Sequence, residues 1–421
     1  MTIIIRRARI VDSSSPLNGK VKDIFIKNGK IAIIADQVKE TADHVIDTDG
    51  LHVSPGWVDI FARFGDPGLE YKETLDSGAR AAAAGGFTHV FILPNTRPAI
   101  HNKSQVEYIK EKSKSLPVSL HPIGAITKDI EGKELAEMYD MKASEAIAFS
   151  DGLNAVQSAG LLIKALQYIK AFEGVIIQLP DDKSISPNGL MNEGIISTRL
   201  GLPGKPAMAE ELMIARDINL AGYTDSKLHF TGISSKKSLE YIRRAKESGV
   251  NITCSVTPYH LFFSEEDLVS YDTNLKVNLP LRTKDDASAL YDAVVDGTID
   301  CITSHHQPHE WDSKACEFEY AKPGMTGLET LYGVLGKLGF STERLVKCLS
   351  ENPRKIFDLP KVSIAEGGEA DLSLFLPGVT YRFEERQIQS KSKNTPFIGK
   401  ELNGKVVGII SKDNLYLNST S

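Results

Sequence analysis

A chain of 421 residues with 41% hydrophobic and 25% charged side chains has room for one large domain and a small one. Its net charge of -6 is spread without any block of like charge, which argues against a nucleic-acid surface or an anionic-membrane anchor. Cys254, Cys301, Cys316 and Cys348 lie far apart with no C-x-x-C pair, so neither a disulfide framework nor a zinc knuckle is expected, and a reducing cytoplasm fits best. The opening MTIIIRRARIVDSSS has too short an apolar run for a secretory segment, and no stretch approaches the ~20 apolar residues of a membrane span.

The first 54 residues read as short antiparallel strands: TIIIRRARIVD, then DIFIKNGKIAIIA with a hairpin signal at Asn28-Gly29, then HVIDTDGLHVSPG. The same texture returns in EADLSLFLPG and GKVVGIISKDNLYLN. One small β-sandwich-like domain over 1–54 and 362–421, built from both ends, is the expectation.

Between them, over 55–361, short β-branched runs alternate with helical patterns, as parallel βα units do. The runs are GWVDIFA (56–62), HVFILPN (89–95), LHPIGAI (120–126), AIAFSDG (146–152), VIIQLP (175–180), LHFTGIS (228–234), ITCSVTP (252–258) and IDCITSH (299–305). Segments such as TLDSGARAAAAGG, AGLLIKALQYIKAF, PAMAEELMIARDINLAG and SKKSLEYIRRAKESG carry apolar residues at helical spacing. Eight strands with intervening helices predict an α/β fold, a (β/α)8 barrel whose active site lies at the C-terminal strand ends.

Those ends are chemically sparse. A catalytic divalent site needs three or four imidazoles, thiolates or carboxylates converging at about 2.0–2.3 Å. Phe61, Leu179 and Gly232 offer no lone pair, and Arg63 is a fixed cation. Asp151 and Asp59 remain as carboxylates, with His305, His306 and His309 at the eighth end and His260 at the seventh. Adjacent strand residues face opposite ways, so His305 and His306 do not readily share an ion. The plainer reading makes these histidines hydrogen-bonded loop residues and Asp151-Gly152 a turn. If Asp151 is buried, the Arg63 guanidinium is expected to supply its counter-charge where a metal would otherwise sit.

Ordered along nearly the whole chain stand PGWVDI, FGDPGLEYKETLDSGARAAAAGGFTHVFILPNTRP, IGAITKDIEGKELAEM, AFSDG, MNEGIISTRLGLPGKP, KVNLPLRTKDD, DGTIDCITSHHQPHEWDSK, GMTGLET and SKSKNTPFIGKELNGKV. With these segments the sequence resembles the dihydroorotases of the amidohydrolase superfamily, of the type that associates with aspartate transcarbamoylase. The resemblance implies a barrel beside a small β-domain, a zinc cofactor, and interconversion of carbamoyl aspartate and dihydroorotate in pyrimidine biosynthesis. It also implies departures. The strand-one H-x-H falls on Phe61 and Arg63, the carboxylate-gripping arginine on Gly65, and the strand-five and strand-six histidines on Leu179 and Gly232. The strand-eight catalytic aspartate falls on His305, next to His306. Asp151 alone keeps the identity of a metal ligand, while Asn95, Asn278 and His309 match substrate-contacting positions.

On this donor count the expectation is a non-catalytic homologue with no metal or other cofactor, acting as a structural or regulatory partner of the aspartate transcarbamoylase catalytic subunit and itself a homodimer by analogy. Two alternatives stand beside it. One is an active dihydroorotase with a rebuilt site using Asp151 and His306; the other is a metal-free enzyme of other chemistry with His305 or His306 as general base.

Overall fold

The computed structural model describes residues 1–418; residues 419–421, the last of those assigned above to the small domain, lie outside the described residues. Seven of the eight expected barrel strands form as Trp57–Ala62, Phe87–Ile92, Ser119–Pro122, Val175–Gln178, Lys227–Phe230, Ile252–Val256 and Cys301–Ile302. Neighbours in the ring pair in parallel. The fourth run, over 146–152, contributes only Phe149, which bridges Gly124 on one side and Ile176 on the other. The ring closes where strand eight meets strand one. There the Arg63 amide donates to the His306 carbonyl at 2.8 Å, and the buried Asp59 carboxylate accepts from Thr303 Oγ1, Ser304 N and Ser304 Oγ at 2.9, 2.6 and 2.9 Å. Asp59 is thus a structural staple between strands.

The helices expected from apolar spacing appear as Leu75–Ala84, Ala159–Lys170, Met208–Thr224 and Lys236–Glu247. Three start on a side-chain cap: Thr74, Ser158 and Ser235 each accept a first-turn amide, and Thr74 completes a reciprocal box with Ser77. Such caps satisfy amides that lack an intrahelical partner and fix where each helix leaves its loop. That in turn fixes the strand ends where chemistry is expected.

Strands from both ends of the chain make one eight-stranded sheet. Its order runs Asn414–Leu417, Glu401–Ser411, Leu372–Arg382, His52–Pro55, Thr2–Ile10, Val21–Lys27, Lys30–Ala35, with His44–Ile46 beside Thr2–Ile10. The purely antiparallel expectation is corrected here. Residues 36–43 carry the chain back across the sheet, so His44–Ile46 and then His52–Pro55 run parallel to Thr2–Ile10. Ile3, Ile5, Ile24, Ile26, Leu372 and Leu374 share a buried cluster in this sheet.

Trp57, wholly buried, joins sheet to barrel. Its amide donates to Ser373 Oγ and its indole N–H to Ser54 Oγ, both at 3.0 Å, while its ring packs on Phe375 and Tyr332 with centroids 5.2 and 4.8 Å away. The apolar body is covered and the one polar atom is paired, which is the arrangement that makes a buried indole stabilising. Among the described residues no helix is long and apolar enough to cross a membrane.

Candidate active site

At the strand ends, His305 takes the centre. Its ring is 1% exposed and packs on Phe61 with centroids 4.4 Å apart. A Cβ added to Gly232 would lie 2.7 Å from His305 Cε1 and 3.4 Å from Leu179 Cδ1, so this imidazole fills the space that position 232 leaves open. His305 Nε2 lies 2.7 Å from Thr231 Oγ1, whereas Nδ1 is buried without a hydrogen-bond partner. Burial, with His260 and His229 nearby, holds the ring well below the usual histidine range and therefore neutral. The His305 backbone has φ 45°, in the left-handed region that a non-glycine residue seldom adopts.

His306 turns the opposite way. Gly327 N–H donates to its Nδ1 at 3.2 Å, so Nε2–H donates to Glu73 Oε2 at 3.3 Å. Glu73 also accepts from Ser77 Oγ, Ser390 Oγ and, at 3.0 Å, the Lys391 amide. Burial pushes this carboxyl up, but the bonds from His306, Ser390 and Ser77 outweigh it and leave it lowered. Glu73 therefore clasps the segment after Gln389 to the loop following strand one. Ser392 Oγ bonds the Lys72 carbonyl at 2.7 Å, and Asn394 Oδ1 takes the His309 amide at 2.9 Å, continuing the clasp.

Asp151 and Arg63 do not meet, which corrects the expected pairing. The Asp151 carboxylate is satisfied by the amides of Ile126 and Thr127 at 2.9 Å and by Thr127 Oγ1 at 2.5 Å. Burial raises it to about 6 against those bonds, with no cation contributing. It organises the loop after strand three. Arg63 instead sends Nε to the Asn95 carbonyl at 3.4 Å and, among the described residues, has no carboxylate in ion-pair range. Its charge is opposed mainly by burial and by Arg97, and favoured by Tyr71 and Glu310.

Asn95, Asn278 and His309 belong to three separate bonding groups. Asn95 grips the Asp151-Gly152 turn through Nδ2 to the Asp151 carbonyl at 3.2 Å and Oδ1 from the Leu153 amide at 3.1 Å; a Cβ on Gly152, at φ 61°, would stand 1.8 Å from that oxygen. Asn278 bonds Lys205 Nζ and Asp181 Oδ2, both at 3.0 Å, beside the buried Lys205–Asp181 pair at 2.9 Å. His309 donates from Nε2 to the Pro323 carbonyl at 3.0 Å and accepts from Lys72 Nζ at 3.2 Å. Burial and then Lys72 lower its pKa to about 3. Lys72 reaches Glu310 at 3.3 Å, and the cavity there, about 480 Å³, is lined by Tyr71, His309, Glu310, Trp311, Lys314 and Asn394. Gly65 has no side chain to offer and lies against the Leu69 and Glu73 carbonyls. His260 is spent on Thr257 Oγ1 at 2.9 Å and the Leu279 carbonyl at 3.0 Å.

Lys72, Glu73 and Thr231 were not singled out by the sequence. Thr231 had a signal, since 229 and 231 alternate to one face of a strand, as do 253 and 255. Glu73 had none, because all its partners but Ser77 lie more than 230 residues away.

A parallel ring of seven strands bridged at the fourth position by Phe149, with its chemistry at one rim, defines an amidohydrolase-type barrel enzyme fold. Solved structures agree: an L-hydantoinase (dihydropyrimidinase) from Arthrobacter aurescens superposes with TM-score 0.87 at 24% identity, covering 99% of this chain and 96% of that one. A D-hydantoinase (dihydropyrimidinase) from Thermus sp. gives 0.82 at 18%, covering 99% and 95%. A family model described as dihydro-orotase-like matches residues 50–238. The dihydroorotase of Syntrophus aciditrophicus is 40% identical across 97% of both chains, and that of Pelotomaculum thermopropionicum 41% across 96% of both. The chain belongs to the dihydroorotase family.

That kinship overturns two expectations. The reading of a catalytically retired subunit is corrected, because relatives at about 40% identity over nearly the full length carry the enzyme's name. The expectation of no cofactor is corrected too, since the family stands among amidohydrolases that the resemblance describes as zinc-dependent. The side chains of this chain do not fit an ion held in the family's manner. Phe61, Leu179 and Gly232 supply no donor, Asp151 is consumed by its loop, and among the described residues no three His, Cys, Asp or Glu side chains converge as a metal site requires.

Proposed function

We propose that this protein interconverts a cyclic amide and its ring-opened carbamoyl amino acid, the dihydroorotase reaction of pyrimidine synthesis, through a rebuilt site. The observation that carries the reading is identity of about 40% to dihydroorotases across nearly the whole length of both partners. The charge at the barrel mouth supports it. Among the described residues Arg63 carries a guanidinium without an acidic partner, and beside the adjoining cavity Lys72 donates to the neutral His309 and pairs with Glu310. An anionic substrate finds there a planar fork for its carboxylate, in a setting where burial strengthens charge-assisted bonds. In this reading Arg63 assumes the grip that Gly65 cannot give.

The test is turnover of dihydroorotate and carbamoyl aspartate by the purified protein, separated by chromatography, with zinc supplied and with chelator. A curated relative assayed alongside sets the scale. Product formation above the uncatalysed rate is the expected result; its absence under both conditions, while the relative turns over, overturns the proposal.

A further inference from the structure

Inside the barrel a column of side chains runs from floor to mouth. Thr253 Oγ1 lies 2.8 Å from His229 Nδ1, His229 Nε2 3.0 Å from Ser255 Oγ, Ser255 donates to Thr231 Oγ1 at 3.0 Å, and Thr231 Oγ1 meets His305 Nε2 at 2.7 Å. Every middle member is wholly buried. Phe61 walls the His305 end and Phe357 the His229 end, with ring centroids 4.4 and 5.5 Å away. At the floor, Thr253 lines a cavity of about 310 Å³ shared with Val175, Lys227, Asn251 and Asp300, residues at the N-terminal starts of strands five to eight.

The Ser255-to-Thr231 bond fixes the sense of the whole column. With its oxygen accepting from Ser255, Thr231 gives its own proton to His305 Nε2. A neutral His305 then carries its hydrogen on Nδ1. On the other side, Ser255 accepts from His229 Nε2–H, and His229 Nδ1 accepts from Thr253. All five groups donate toward the mouth, and the last donor, His305 Nδ1–H, has no partner among the described residues. Buried polar groups ordinarily close on one another or on backbone carbonyls. At its upper end this column stops on a buried donor.

We infer that the column is a proton path, with His305 Nδ1 as its terminal group at the barrel mouth and Thr253 as its entry from solvent. When Nδ1–H passes its proton to an acceptor, Thr231 protonates Nε2, Ser255 protonates Thr231, His229 Nε2–H protonates Ser255, Thr253 protonates His229 Nδ1, and solvent in the floor cavity protonates Thr253. One proton crosses, each bond broken is matched by one formed, and both imidazoles change tautomer without ever becoming cations. Rings held neutral by burial suit such a path and would hinder one that needed imidazolium. Its use in turnover rests on the dihydroorotase reading. Opening a cyclic amide breaks C–N, forms C–O, takes one proton from the attacking water and gives one to the departing nitrogen, so the column runs once in each direction per cycle.

The experiment reads the protons directly, by NMR of protein labelled with 15N-histidine. His305 is expected as the Nδ1–H tautomer and His229 as the Nε2–H tautomer. Thr231→Val and Thr253→Val should each slow exchange of the His305 Nδ1 proton with water by roughly tenfold or more, and Thr231→Ser and Thr253→Ser should restore it. Thr253 is only partly buried at the floor, so its variants carry the test should Thr231→Val not fold. An Nε2–H tautomer at His305, or exchange unmoved by both valine variants, overturns the path. In the turnover assay Thr253→Val should lower kcat with KM unchanged; a protein without turnover removes the dihydroorotase reading and leaves the NMR outcome to decide the path.

Discussion

The imidazole of His305 stands in the volume that a side chain on Gly232 would need, with Cε1 2.7 Å from the position of an added Cβ. Two departures that the resemblance implies, one losing a histidine and the other gaining one, therefore meet in a single volume. Gly232→Ala should destabilise the protein by about 1–3 kcal/mol, through overlap and through its φ of 72°, and His305→Ala in the same chain should recover part of that loss. Urea denaturation of the single and double variants measures the coupling; strictly additive effects would contradict the shared volume.

The buried Glu73 ties together the buried side chains of His306, Ser77 and Ser390 and the amide of Lys391. Glu73→Gln removes the charge and turns one acceptor into a donor facing hydrogen-bond donors. A loss of about 3–5 kcal/mol is expected, with cleavage by added protease appearing first between Gln389 and Thr395. Unchanged protection of that stretch would show that the clasp is held elsewhere.

Asp151 gives a dependence on pH with a definite sign. Its folded carboxyl is raised to about 6 by burial, above the usual aspartate value, so its contribution to stability is complete at pH below about 4 and is lost as pH climbs through about 6. Against wild type, Asp151→Asn should therefore look least favourable in acid and gain ground toward neutrality. Midpoints of urea unfolding collected from pH 4.5 to 7.5 decide it, and a difference constant over that range would be inconsistent with a raised carboxyl.

Among the described residues Arg63 has no acidic partner to lose. Arg63→Met should leave folding nearly intact and, if dihydroorotate turnover is found, raise KM roughly tenfold to a hundredfold while kcat changes less. A variant with wild-type KM would take Arg63 out of substrate binding.

Much of the scaffold was legible because its signals are local. The alternating run in LHFTGIS and the capped, apolar-spaced AGLLIKALQYIKAF declare strand and helix from neighbours a few residues apart. The fourth strand was overread: AIAFSDG has the composition of a strand, yet the Asp151-Gly152 turn gripped by Asn95 leaves only Phe149 in the ladder. At the site, the absence of donors at Phe61, Leu179 and Gly232 could be read from residue type alone. The partners of Arg63 and Asp151 could not. Asp151 faces the loop at Ile126-Thr127, and backbone amides, which have no signature in a sequence, supply most of its bonds. Composition also could not place Ser390 and Asn394 over a mouth built hundreds of residues earlier.

Trp57 has a consequence for biosynthesis. Its cover comes from Ser54 on one side and from Ser373 and Phe375 on the other, and the sheet that holds them needs the strand Leu372–Arg382 beside His52–Pro55. While the ribosome is still translating the barrel helices, this indole and the isoleucine-rich face behind it lack the part of their cover that Leu372–Arg382 supplies. The nascent polypeptide must keep that surface from sticking to others until the strand Leu372–Arg382 has been made.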